Sequence, residues 1–264
     1  MPELPTALKT ACATGDLSLT KTLYNDMIST DPSAKTATLS QMAILSSKYS
    51  HSPILAFCFS EGLKLDTEKV NDPLIYAASD SGSVAIFRVL LDNGLDANEY
   101  QEMGSPLVST CYSGNVELAT FLLDHGADPN SGYPLGDYEC LVWAIVGDHA
   151  SLEMVKLLLT RGTVVKGTGA LIAAAEYGNL GAIKVLLETV DVNLEEVEEY
   201  GAADPRKEDD MGTALYKAAA GGHAEIVDTL LGRGADERFK DKKGRSVADV
   251  AEENGHGDIA RRLR

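Results

Sequence analysis

One apolar pattern recurs eight times along the chain. With Gly15, Ser50, Gly82, Gly114, Ala150, Gly178, Gly222 and Gly255 as origins, the fourth, fifth, eighth and ninth residues that follow are mostly apolar. They read Leu19, Thr20, Leu23, Tyr24; Ile54, Leu55, Cys58, Phe59; Ile86, Phe87, Leu90, Leu91; and Leu118, Ala119, Leu122, Leu123. The later ones are Met154, Val155, Leu158, Leu159; Ala182, Ile183, Leu186, Leu187; Ile226, Val227, Leu230, Leu231; and Ile259, Ala260, Leu263, Arg264. Positions so spaced share one face of a helix, so each set predicts an amphipathic helix after its origin. A second, shorter helix is predicted before each origin. Small pairs such as Ala77-Ala78, Ala174-Ala175 and Ala218-Ala219 there let neighbouring helices approach closely.

Punctuation supports the frame. Thr6, Asp72, Ser105, Thr213 and Ser246 stand where a side-chain oxygen can cap the first helix, and Pro73 and Pro106 stand where a missing N–H does no harm. Gly94, Gly126, Gly162 and Gly234 are expected to end the second helix in a left-handed conformation. The second unit has Ser46-Ser47 for the alanine pair and Ser50 for glycine, which predicts looser packing at that end. The fifth is two residues longer between its helices, at "VGDHAS".

This helix–turn–helix period resembles the ankyrin repeat. The likeness is plainest in "SPLVSTCYSGNVELATFLLDHGADPN" (105–130) and "TALYKAAAGGHAEIVDTLLGRGAD" (213–236). The family's Thr-Pro-Leu-His start survives in part, as Ser105-Pro106-Leu107-Val108 and Thr213-Ala214-Leu215-Tyr216, with no histidine at the fourth position of any unit. The resemblance implies an all-α solenoid of helix–turn–helix units joined by hairpin loops. It would be a single domain over 1–264, with repeats near 4–33, 37–66, 70–98, 102–130, 136–165, 167–193, 209–237 and 242–264. A polar last unit, with Glu252 at its second small position, suits the end of such a stack. Asn98, Asn130 and Asn193 match the hairpin asparagine that stabilises the turn in this family.

One stretch breaks the period. Gly178 and Gly222 lie 44 residues apart, and 191–210 holds nine carboxylates against Arg206 and Lys207. The frame resumes at Thr213, so 194–208 is an acidic insertion at a hairpin rather than a boundary between unrelated domains. It is either an enlarged part of a binding surface or a solvated loop.

The resemblance also implies a function: binding another protein through a concave groove and the hairpin tips. The two positions before each origin would be the variable contacts, giving a stripe of Tyr49, Tyr112 and Tyr177 with Asp80, Asp148 and Glu176. His149 falls in the lengthened link beside Asp148. Tyr100 and Met103 belong to one hairpin tip, and Tyr138 to the long loop before Trp143. Tyrosine anchors interfaces because it offers contact area with little rotamer entropy to lose. The bland alternatives are that these tyrosines only cover their neighbours and that Trp143 packs between repeats.

Charge and motifs narrow the classes. A net charge of -17 disfavours nucleic acid, whose phosphates need clustered cations, and suits a partner with a basic segment. No phosphate-binding loop, HExxH, GxSxG or DxDxDG stretch occurs, so neither catalysis nor a cofactor is expected. Cys12, Cys58, Cys111 and Cys140 form no CxxC pair; buried reduced thiols, not a metal site, are expected. No window approaches the apolar length of a membrane span, and an intracellular monomer is the expectation. Two rival readings remain: an enzyme using the groove as a pocket around His149, Tyr112 and Tyr177, and an inhibitor or effector that occludes a partner's surface.

Overall fold

The computed structural model describes residues 3–65, 72–99, 104–132, 139–147, 149–193 and 212–264. Among them lie sixteen α-helices, one short 3-10 turn and no β-strand, which is the all-α class the apolar period predicts. Contacts divide the chain into two compact units, one of residues 1–110 with 120–127 and one of 111–119 with 128–264.

The first unit contains α1 (Thr6–Thr14), α2 (Leu17–Thr30), α3 (Lys35–Lys48), α4 (Ser52–Ser60), α5 (Pro73–Ser81) and α6 (Val84–Asp92). First helices pack on first helices, α1 on α3 and α3 on α5, while α4 packs on α2 and α6. In the second unit α9 (Cys140–Val146), α11 (Ala170–Glu176), α13 (Ala214–Ala220) and α15 (Val247–Glu253) form one row. Their partners α10 (Leu152–Thr160), α12 (Leu180–Leu186) and α14 (Ala224–Gly232) form a second, and α16 (Gly257–Arg262) closes on α15. The helices α7 (Pro106–Ser113) and α8 (Val116–Asp124) carry the fourth copy of the pattern. The apolar quartets supply the core: Ile54, Leu55, Ile86, Phe87, Leu90, Met154, Val155, Leu158, Ile183, Val227 and Leu230 are fully or almost fully buried.

Second helices end in one recurrent way. Gly62, Gly94, Gly126, Gly162 and Gly234 all have φ between 85° and 102°. Each lets the next amide reach back to the last turn, as Leu95 N to Leu90 O (3.0 Å) and Ala235 N to Leu230 O (3.1 Å). Those closures satisfy carbonyls that a helix end leaves without partners.

Two sequence expectations need correction. Thr6 is the first helical residue of α1, whose cap position is Pro5 with no side-chain bond, so it does not cap. Asp72, Thr213 and Ser246 do cap, Ser246 in a reciprocal box with Asp249. The Ser46-Ser47 pair does not loosen α3, for both serines are fully buried and Ser46 Oγ bonds the Ala43 carbonyl of its own helix at 3.1 Å. Ser50 adopts φ 62°, the sole left-handed residue other than glycine among those described. Ala150 is not left-handed. Elsewhere the link closes over five residues, as Asn179 N to Ala174 O (2.8 Å); in the fifth pair it closes over seven, Ser151 N to Ala144 O (3.1 Å). In that link the backbone carbonyl and Cβ of His149 lie against Gly114, where a Cβ would collide with them.

Candidate functional site

The residue after each origin has two uses, which sequence reading missed. Asp16, Ser83, Asn115, Ser151 and Asn179 cap the second helix of their own pair, accepting from the backbone N–H three residues on. His51, His223 and His256 occupy the same position without capping. Their rings instead lie against the origin glycine of the preceding pair, on Gly15, Gly178 and Gly222 respectively. His51 Nε2 is 2.9 Å from the Ala13 carbonyl and His223 Nε2 is 3.1 Å from that of Glu176. A carbonyl only accepts, so each ring carries its proton on Nε2. The available signal was that histidine, unlike Asp, Ser and Asn, is a poor cap. These histidines pack one helix pair on the next.

Hairpins are joined by their asparagines. Asn98 Nδ2 donates to the Gly126 carbonyl (2.9 Å), and Asn130 Oδ1 accepts from Val164 N (2.8 Å). Asn193 does both, donating to the Gly234 carbonyl and accepting from Asp236 N, each at 2.9 Å. Their own amides bond Asp96, Asp128 and Asp191, which fixes the turns.

The stripe residues are placed as follows. In the first unit Tyr49 is 48% exposed, and Asp80 is also exposed. In the second unit Tyr112 is 39% and Tyr177 59% exposed, while Trp143 is half-buried. Tyr112 and Trp143 meet edge to face, ring centres 5.2 Å apart and planes at 80°. Gly147 approaches the backbone of both residues: a Cβ there would lie 2.5 Å from the Tyr112 carbonyl and 2.6 Å from that of Trp143. The lengthened link thus lies against the backbone that carries the two aromatics. Glu176 is not a free acid, for Oε1 lies 3.2 Å from Lys217 Nζ, an ammonium only 11% exposed. His149 is exposed. Tyr100, Met103, Tyr138, Asp148 and the insertion 194–208 lie outside the described residues.

Tyr216 holds the position where the family has histidine, and its longer side chain reaches further. Its hydroxyl donates to Asp241 Oδ2 at 2.8 Å, and its ring meets Phe239 edge to face at 5.4 Å. Arg245 Nε adds a bond to the same carboxylate at 2.6 Å, and Arg245 N and Lys243 N donate to Oδ1. Burial pushes the Asp241 carboxyl up, but the Tyr216 and Arg245 donors outweigh it and hold it at about 2.

An open depression of about 290 Å3 lies at the last helix pair, among Lys243, Arg245, Asp249, Glu252 and Arg264. Its cations are engaged, Arg245 with Glu253 at 3.0 Å and Arg264 with Glu252 at 3.2 Å. Among the described residues no three His, Cys, Asp or Glu side chains come together as metal ligands, and no helix is long and apolar enough to cross a membrane. All four cysteines are buried and unbridged. Burial pushes the Cys12 thiol up to about 11 and, with Cys12 nearby, that of Cys58 to about 12. The contact with Cys140, together with burial, raises Cys111 well above the ordinary thiol range.

Comparison with known proteins agrees with this architecture. A family model of ankyrin repeats in three copies matches residues 42–133, and a single ankyrin-repeat model matches 212–242. The chain is 34% identical over 116 residues, 42% of its length, to the ankyrin repeat and KH domain-containing protein mask-1 of Caenorhabditis elegans. It is 42% identical over 53 residues, 20% of its length, to the human espin-like protein. Against a Caenorhabditis elegans homolog of transient receptor potential cation channel subfamily A member 1 it is 32% identical over 125 residues, 45% of its length. The matched segments span 4%, 5% and 9% of those proteins.

Proposed function

Because the chain belongs to the ankyrin-repeat proteins, whose repeats are in general protein-interaction modules and typically not enzymes, we propose that it binds another protein through the variable face of its first helices. The observation that carries this reading is the exposure of Tyr49, Tyr112 and Tyr177, tyrosines one or two residues before an origin, in a fold that buries most of its other large apolar side chains. Exposed aromatics cost solubility, and a partner that covers them gains contact area at small entropic cost. In the second unit the Tyr112 ring already packs edge to face on Trp143, so less ordering remains for binding to supply. Hairpin tips and the acidic insertion would extend the contact, Asp80, Tyr100, Met103, Tyr138, Asp148 and His149 among them. Glu176 contributes less than its charge suggests, being paired with Lys217.

Affinity capture from a lysate, read by mass spectrometry, tests this with three baits: the wild type, Tyr112→Ala/Tyr177→Ala, and a chain lacking residues 195–208. Partners retained by the wild type should be lost or at least tenfold depleted on the double variant, for two interface anchors at about 1–2 kcal/mol each. Undiminished capture by that variant, with its melting curve intact, would remove the tyrosines from the surface. The deletion reads the share of the insertion separately.

A further inference from the structure

We infer that the aromatic pair of the second unit takes a basic segment of the partner, with an arginine or lysine side chain seated against Tyr112 and Trp143. This rests on the protein-interaction reading and narrows it to one partner chemistry. Three observations converge on it.

The first is the pair itself. Trp143 and Tyr112 stand edge to face at 5.2 Å, the arrangement in which the positive edge of one ring meets the negative face of the other. Tyr112 remains 39% exposed and Trp143 half-buried, so ring surface is left for a cation, and tryptophan is the best cation acceptor among side chains.

The second is rigidity. The helices α7 and α9 carry the two rings, and Gly147 fits against the carbonyls of both residues. A cation arriving there does not have to order the receptor first.

The third is charge. The chain carries -17, with nine carboxylates between 191 and 210 against two cations, so its field draws basic segments and repels acidic ones. Lys217, a cation on the first-helix row of this unit, is paired with Glu176 at 3.2 Å and does not oppose a basic partner. Division of labour follows: the net charge steers, and the ring faces discriminate.

Trp143 is the sole tryptophan, so emission from the intact chain reports on this spot alone. Three synthetic peptides of about twelve residues serve as probes at about 50 mM salt: one of Arg, Lys and Ser, one of Glu and Ser, and one neutral. Only the basic peptide should change the emission saturably, with the apparent Kd rising about tenfold at about 300 mM salt as screening sets in. Tyr112→Ala should weaken it about tenfold with the helical circular dichroism unchanged, and Tyr112→Phe, which keeps the ring, should restore it. No response to the basic peptide overturns the inference. So does an equal response from Tyr112→Ala, which would mean diffuse attraction elsewhere on the chain. A neutral peptide that binds as tightly also overturns it, while leaving the protein-interaction reading intact. That reading falls separately, by the capture experiment.

Discussion

His223 reaches back one helix pair, donating from Nε2 to the Glu176 carbonyl across 3.1 Å while its ring rests on Gly178. Two constraints therefore meet at one glycine. Gly178 has φ 72°, which L side chains resist, and a Cβ there would stand 2.7 Å from the imidazole.

Gly178→Ala is accordingly expected to destabilise the protein by about 3 kcal/mol, from roughly 1–2 for the left-handed conformation and 1–3 for the overlap. His223→Ala should cost about 1 kcal/mol for the lost bond. In the double variant the overlap disappears, so the two costs should fall short of adding by about 1 kcal/mol or more. Urea denaturation of the four chains measures it. Strict additivity would show that the ring does not limit the space.

Tyr216→Phe removes one donor from Asp241, whose side chain is 1% exposed. The folded carboxyl lies at about 2, below its ordinary value of 3.8, so its contribution to stability is present above about pH 4 and is lost as pH falls towards 2. That contribution is about 2 kcal/mol at neutral pH. The variant should lose about 1–2 kcal/mol near pH 7, and the deficit should shrink steadily below pH 4. Melting curves at several pH values check the sign. A deficit that grows on acidification would contradict the network.

The thiols should be silent in the folded protein. Cys12, at about 11, and Cys58, at about 12, are buried and protonated at pH 8, and only thiolates react. Alkylation by iodoacetamide is expected to track global unfolding, with labelling at least a hundredfold faster in urea, since access requires opening. Rapid modification of any cysteine under native conditions would mark a local opening of its helix pair.

Much of the fold was written in periodic positions. The quartets that begin at Ile86 or Ile226 name their own buried face, because helical geometry converts spacing directly into direction. Gly94 and Gly234 were legible for a similar reason: a backbone conformation that only glycine enters without strain leaves its mark at a fixed offset. What stayed hidden depends on residues that sequence does not align. Glu176 meets Lys217 41 positions away, and Tyr216 meets Asp241 25 positions away, each through one side-chain length across a repeat boundary. The burial of Asp241 inside "KDKKGR" was similarly obscured, since a charged stretch reads as solvated until the donors around one carboxylate are known. In the candidate surface, the tyrosines came from register. The fit of Gly147 against their backbone could not, because its φ is -61° and nothing but close approach requires a glycine there.

Asn193 binds the Gly234 carbonyl and Asp236 N directly, and Arg233 Nη1 reaches the Leu187 carbonyl at 2.7 Å. These bonds form a shortcut that bypasses every residue from 194 to 211. Every atom these side chains reach belongs to the backbone, so the register between the two helix pairs does not depend on which side chains fill the turns they fasten.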